Sequence, residues 1–173
     1  MIIAIVGAES TGKTALAHAL AVELGATCVA EYLREWCDRE GRTPRADEQA
    51  AIAAEQARRI EAAALKGPVI CDTTPLMTAV YSDFIFGDQS LYASTLAWQG
   101  RCALTLLTGL DLPWVADGIQ RASPAVQAPI DQLIRKALDG AGIAWQRVEG
   151  HGDARRAVAR RFIESLKMFG SST

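Results

Sequence analysis

Eight residues near the start of the chain carry the strongest chemical signal. Gly7-Ala8-Glu9-Ser10-Thr11-Gly12-Lys13-Thr14 satisfies GxxxxGK[ST] at every fixed position, between a short apolar run and a helical pattern. Glycine at 7 and 12 permits backbone conformations and close approaches that a side chain would block. A loop built this way turns successive N–H groups toward one point, where they can hold phosphate oxygens. The following helix adds its positive end. Lys13 is placed to reach β- and γ-phosphates, and Thr14 to offer a hydroxyl to magnesium. Gly7, Glu9, Ser10, Thr11, Gly12, Lys13 and Thr14 are therefore the expected ATP site, with Mg2+ as the accompanying ion. The loop identifies a nucleoside triphosphate. It leaves open the phosphate acceptor and the choice of adenine or guanine.

Other polar residues fall at the ends of apolar runs. Asp72 follows Val69-Ile70-Cys71, where a carboxylate can hold magnesium directly or through water. A cap for the next helix is the competing role for Asp72 or Thr73. Glu31 follows Thr27 to Ala30, and Arg34 lies one helical turn later on the same face. Glu31 can take a proton from an acceptor hydroxyl, with Arg34 steadying a phosphate or Glu31 itself. An exposed ion pair of small consequence is the alternative. Asp111, Trp114, Asp117, Gly118 and Arg121 occupy an irregular stretch suited to a lid that excludes water and brings in an arginine. Arg121 is the lid candidate, and Trp114 packs the lid base or stacks on a ligand. Arg155 and Arg156 follow Gly150-His151-Gly152, where a guanidinium can cover a base by cation–π stacking. A basic first turn of a surface helix fits them equally well. His151 reads as a turn residue, and the aromatics from Tyr81 to Trp98 read first as core, with ligand stacking as the alternative.

Positioning these groups requires a particular frame. Met1–Val6, Thr27–Ala30, Val69–Asp72, Ala103–Leu107 and Ala144–Val148 read as strands. Between them lie helical patterns over Lys13–Leu24, Glu31–Arg39, a stretch from Thr43 to Leu65, Pro75–Phe86, Gln89–Arg101, Val126–Leu138 and Asp153–Lys167. Thr43 is the expected cap of the long helix, with Pro44 in its first turn. Alternating strands and helices predict an α/β fold of three layers. The expected form is a P-loop NTPase fold: a five-stranded parallel sheet, helices on both faces, and a lid segment. Residues 1–169 read as one domain, and 170–173 as a disordered tail.

Composition narrows the function classes. Of 173 residues half are hydrophobic, but 31 of these are alanine, so bulky apolar side chains are fewer than the figure suggests. A net charge of −2 gives no basic face for nucleic acid. No apolar run approaches a membrane span, and the N-terminus lacks the pattern of a signal peptide. Cys28, Cys37, Cys71 and Cys102 form no CxxC pair, so zinc and disulfides are not expected. The expected compartment is the cytoplasm, and the expected partner is a small molecule. Oligomeric state is not legible.

Several segments together resemble the nicotinamide riboside (ribosylnicotinamide) kinase domain of NadR-type proteins, among the P-loop kinases. They are the loop itself, Glu31-Tyr32-Leu33-Arg34-Glu35, the helix carrying Asp47 and Gln56, Cys71-Asp72-Thr73, and Asp111-Leu112-Pro113-Trp114-Val115-Ala116-Asp117-Gly118. The resemblance implies transfer of the ATP γ-phosphate to the 5′-hydroxyl of nicotinamide riboside. It implies Asp72 near magnesium and the acceptor hydroxyl, and Arg121 in the lid. Glu31, Tyr32, Arg34, Gln56 and Asp117 then belong to the acceptor side. The chain departs from the family pattern at two points. Ala30 stands where an aromatic platform is expected, with Tyr32, Trp36 or Tyr81 as substitutes. The lid reads Asp117-Gly118-Ile119-Gln120-Arg121 in place of DGxR. Starting directly at the first strand, the chain is expected to carry the kinase step alone. Its rivals are a kinase for another nucleoside, nucleotide or small metabolite, and an ATP-binding regulatory module with little transfer activity.

Overall fold

A computed structural model describes residues 1–115 and 124–169. Five parallel strands, β1 (Ile2–Val6), β2 (Thr27–Val29), β3 (Val69–Asp72), β4 (Leu104–Thr108) and β5 (Gln146–Val148), form one sheet in the order β2-β3-β1-β4-β5. The helices are α1 (Lys13–Leu24), α2 (Tyr32–Glu40), α3 (Gln49–Ala64), α4 (Pro75–Phe86), α5 (Tyr92–Gln99), α6 (Gln127–Gly140) and α7 (Gly152–Phe169). The expected three-layer α/β architecture is therefore present. No described helix is long and apolar enough to cross a membrane.

Alternation along the strands explains the layers. Ile3 and Ile5 pack with Leu16 and Leu20 of α1 and Ile163 of α7 on one face. Val6 and Leu107 pack with Leu76 and Val80 of α4 and Ile130 and Ile134 of α6 on the other. A third cluster joins Val69 and Cys71 to Ile60 of α3 and Trp98 of α5. The register that matters for the site is central: Ile5 of β1 pairs with Asp72 of β3 and with Leu106 of β4. The loop after β1 and the ends of its two neighbours thus converge at the carboxyl edge of the sheet.

One expected boundary is corrected. The long helix does not begin at Thr43-Pro44. Arg45 is extended, a 3-10 turn spans Ala46–Glu48, and α3 starts only at Gln49. Proline restricts the residue before it to extended conformations. The Glu48 carboxylate, not Thr43, caps the turn by accepting from the Arg45 N–H at 2.8 Å. The consequence is functional: residues 43–46 are left as a loop beside the sheet edge.

Candidate active site

The phosphate loop is held by its own backbone and by neighbours on two sides. Gly12 and Ser10 are left-handed, with φ of 75° and 56°. A Cβ on Gly7 would stand 2.0 Å from Thr108 Oγ1, and one on Gly12 would stand 2.8 Å from Leu112 Cδ1. Gly7 is required by close approach as well as by conformation; at Gly12 the leucine tip can give way, and the left-handed backbone is what favours glycine. Thr11 Oγ1 bridges Ala8 O and Thr108 Oγ1, each at 2.7 Å, tying the loop to the end of β4. Ser10 Oγ donates to Val115 O at 2.5 Å, and Gln127 Nε2 donates to Glu9 O at 2.7 Å. Lys13 Nζ donates back across the loop to Ala8 O at 2.7 Å. Thr14, in the first turn of α1, is exposed.

Asp72 ends β3 beside this loop and is 3% exposed, with a buried Oδ1 that lacks a partner. The next residue, Thr73, is left-handed at φ 79°, and its buried Oγ1 is also unpartnered. A non-glycine residue at positive φ costs about 1–3 kcal/mol, and such strain concentrates at functional sites. The cap of α4 falls instead at Thr74, whose hydroxyl meets Gln99 Oε1 at 2.6 Å. A hydroxyl and a carboxylate are hard oxygen donors, which suit magnesium held largely by phosphate oxygens and water. Thr14 and the orphaned Asp72 oxygen fit that ion. Among the described residues no group of three or more His, Cys, Asp or Glu forms a protein-only metal site.

A cavity of about 450 Å³ opens at this edge. Gly7, Glu9 and Lys13 line one end, and Glu31, Arg34 and Thr73 lie against it. Glu31 precedes α2 in an extended conformation, which turns the helix away from the end of β2. The wall beyond is supplied by Thr43, Pro44 and Arg45 of the loop and by Met77, Tyr81 and Ile85 of α4. Of this wall the sequence singles out Tyr81 alone, as a substitute aromatic platform. A signal for the α4 side was present, because Thr73, Met77, Tyr81 and Ile85 recur at a spacing of four, one stripe of a helix starting at a strand end.

Three expected roles change. Gln56 is 2% exposed and does not line the cavity. It accepts from Tyr32 N–H at 2.6 Å and donates to Ala30 O at 3.2 Å, so it pins the backbone on both sides of Glu31. Tyr32 packs against the Trp36, Cys37 and Ile52 cluster with Arg59 4.3 Å over its ring. Tyr81 and Phe86 are the aromatic residues that line the cavity. Arg155 does not lie open over a base: it is 4% exposed and turned onto backbone carbonyls. Arg156 faces the other way, toward Glu23 of α1 and Asp153. Asp117 and Arg121 lie outside the described residues, as does the tail from 170. Trp114 is half-buried with its Nε1 unpartnered. Burial pushes the Cys71 and Cys102 thiols up, Cys102 to about 12, so both stay protonated and behave as small core residues.

The family model for AAA_28, an AAA domain, matches residues 2–156. The chain belongs to this AAA domain family. Among curated proteins no sequence matches it. Among solved structures, the AAA_28 chain is similar to a NadR protein in complex with NR, with a TM-score of 0.74 and 20% identity. That match covers 95% of this chain and 51% of the other, so the chain spans about half the length of the NadR protein. It is also similar to a deoxyadenosine kinase from M. mycoides (TM-score 0.68, 12% identity, 95% and 100% covered). A thymidylate kinase from Ehrlichia chaffeensis matches at TM-score 0.68 and 15% identity, with 96% and 98% covered. At these identities the likeness is one of fold: this AAA_28 member has the fold of P-loop nucleoside and nucleotide kinases.

Proposed function

We propose that the chain is an ATP-dependent kinase that moves the γ-phosphate to a nucleoside-type hydroxyl, with nicotinamide riboside as the leading acceptor. The observation that carries the proposal is the single cavity shared by the phosphate loop, Glu31, Arg34 and Thr73. A donor site and a polar acceptor site open into one space, as direct transfer requires. The NadR protein bound to NR has the same fold, and that likeness supports the choice of acceptor.

In the proposed mechanism the loop N–H groups cradle the phosphates. Lys13 exchanges its bond to Ala8 O for phosphate oxygens and offsets charge that develops during transfer. Thr14 and Asp72 would hold magnesium, which would supply positive charge to offset that of the phosphates. The acceptor oxygen forms the new P–O bond as the bond to the leaving ADP breaks, and its proton passes to Asp72 or Glu31. Arg34 steadies the acceptor side. From the sequence, Asp117 is assigned to the acceptor and Arg121 to the lid.

A coupled ADP-release assay over a nucleoside panel tests the proposal. Turnover with nicotinamide riboside well above water hydrolysis is expected. Turnover only with another acceptor assigns that substrate instead. Arg34 and Arg45 on the cavity wall favour a nucleotide as the second reading, since an arginine pair suits an acceptor phosphate. If Asp72→Asn keeps ATP binding and neither form turns over any acceptor, the chain is a regulatory ATP-binding module.

A further inference from the structure

Arg155 is a charged side chain buried to 4% exposure in the first turn of α7, where nothing in the core calls for a charge. Its Nη2 donates to Thr11 O at 2.9 Å and to Gly109 O at 3.4 Å. Its Nη1 donates to Gly150 O and to Asp111 Oδ1, both at 2.9 Å. Asp111 is itself held, accepting from the Gly150 N–H through Oδ2 at 2.6 Å. Burial works against the Asp111 charge, but the Gly150 N–H and Arg155 outweigh it and keep its pKa low. The Arg155 Nε is buried with no partner. A buried guanidinium whose ionic partner is open to solvent and whose Nε–H is unsatisfied is a poor way to gain stability, since an apolar residue of similar volume often does as well. Its geometry suggests another use.

The Thr11 carbonyl belongs to the peptide that joins Thr11 to Gly12, inside the phosphate loop. In a planar trans peptide the C=O and the following N–H point in opposite directions. Fixing the Thr11 oxygen on Arg155 therefore fixes the Gly12 N–H on the far side. Gly12 is left-handed, a conformation with little steric preference of its own in glycine, so the peptide needs an external restraint. We propose that Arg155, held by Asp111, is a positioning residue for the phosphate loop that aims the Gly12 N–H at the phosphates of the bound nucleotide. Arg155 touches no substrate in this role. It couples the loops after β4 and β5 to the loop after β1.

The proposal rests on the reading of residues 7–14 as a triphosphate site, and it does not depend on the acceptor. The test compares Arg155→Met, Arg155→Lys and Asp111→Asn with wild type, using Arg160→Ala on the same helix as a control. ATP affinity is measured by titration calorimetry, and basal ATP hydrolysis and melting without nucleotide are measured alongside. Charge builds on the leaving phosphates during transfer, so a misaimed N–H lowers the rate constant more than it weakens ground-state binding. For Arg155→Met we expect a rate constant reduced about 30-fold or more and ATP affinity reduced by less. Arg155→Lys keeps the charge but cannot span four oxygens, and it recovers only part of the loss. If Arg155→Met does not fold, Asp111→Asn gives the same pattern in milder form. A lower melting point with unchanged rate and ATP affinity overturns the proposal. Wild type that binds no ATP overturns the reading of the loop instead. ATP binding without nucleoside transfer leaves the Arg155 test intact.

Discussion

The two ends of the cavity are built on different principles. The donor end is backbone. Its recognition groups are loop N–H groups, its shape is set by glycines at positive φ, and its braces come from β4, α6 and α7. The acceptor end is side chain. Glu31 and Arg34 come from the start of α2, Arg45 from the loop before α3, and Tyr81 and Ile85 from α4. Even its loop is braced ionically: Arg42 and the Arg45 N–H hold the Glu48 carboxyl down at about 2. A backbone site can serve one ligand chemistry only, whereas a side-chain site can be retuned. The comparison predicts that donor-end changes abolish turnover with every acceptor. Acceptor-end changes should alter which acceptor is used.

The largest effect is expected from Lys13→Met. Removing one preorganised charge at a transferring phosphoryl group costs about 10²–10³-fold in kcat. The loss should be the same for every acceptor in the panel. An acceptor-dependent loss would break the division between the ends. Gly7→Ala comes next. Its Cβ would fall 2.0 Å from Thr108 Oγ1, so either the Thr11–Thr108 bond breaks or β1 shifts. Strain and a lost hydrogen bond together cost about 2–4 kcal/mol. ATP titration should show binding weaker by about a hundredfold, with the variant still folded by circular dichroism.

This same contrast decides what could be read from the sequence. The donor end was legible because it is contiguous: eight residues carry both chemistry and geometry, and Lys13–Leu24 is α1 to the residue. Asp72 and Glu31 were legible as strand-end residues because apolar runs announce strands. Gln56 was placed near the acceptor side, but its task was hidden. Nothing local says that a glutamine on α3 reaches Ala30 and Tyr32, more than 20 positions away. Arg155 was found as a residue and misread in direction, since exposure after a turn is a matter of tertiary packing. On α4 only Tyr81 was singled out, as one of three substitute platforms, because Met77 and Ile85 at helical spacing look the same facing a core or a cavity.

Gln56→Ala sharpens the comparison at the acceptor end. It leaves the Tyr32 N–H and Ala30 O without their partner, which costs about 1–3 kcal/mol of stability. Glu31 sits between those two groups, so its carboxylate loses its placement. The expected kinetic result is an acceptor KM raised about tenfold, with the KM for ATP nearly unchanged. Equal rises in both would mean that the two ends are mechanically one.

The smallest effect concerns a brace behind the donor end. Asp131 of α6 pairs with Arg147 of β5 at 2.6 Å and with Arg135 at 2.9 Å, and Arg147 also donates to Thr108 O at 3.3 Å. Thr108 is the residue that meets Thr11, so this chain of contacts ends on the phosphate loop. Burial disfavours the Asp131 charge, but Arg147 and Arg135 prevail and hold its carboxyl below the usual carboxylate range. A carboxylate with a lowered folded pKa stabilises the fold above its unfolded pKa, about 3.9. That contribution fades as pH falls through the folded value. Asp131→Asn should therefore lower stability by about 1–2 kcal/mol at pH 7, a shift of a few degrees in Tm. The gap between wild type and variant should narrow below pH 4 and close at lower pH. Because the brace acts two contacts away from the loop, kcat should fall by less than about threefold. A gap that persists unchanged into strong acid would show that Asp131 acts by packing and not by charge. A tenfold fall in kcat would extend the rigid backbone end of the site beyond the Gln127 contact to the Asp131–Arg147 pair.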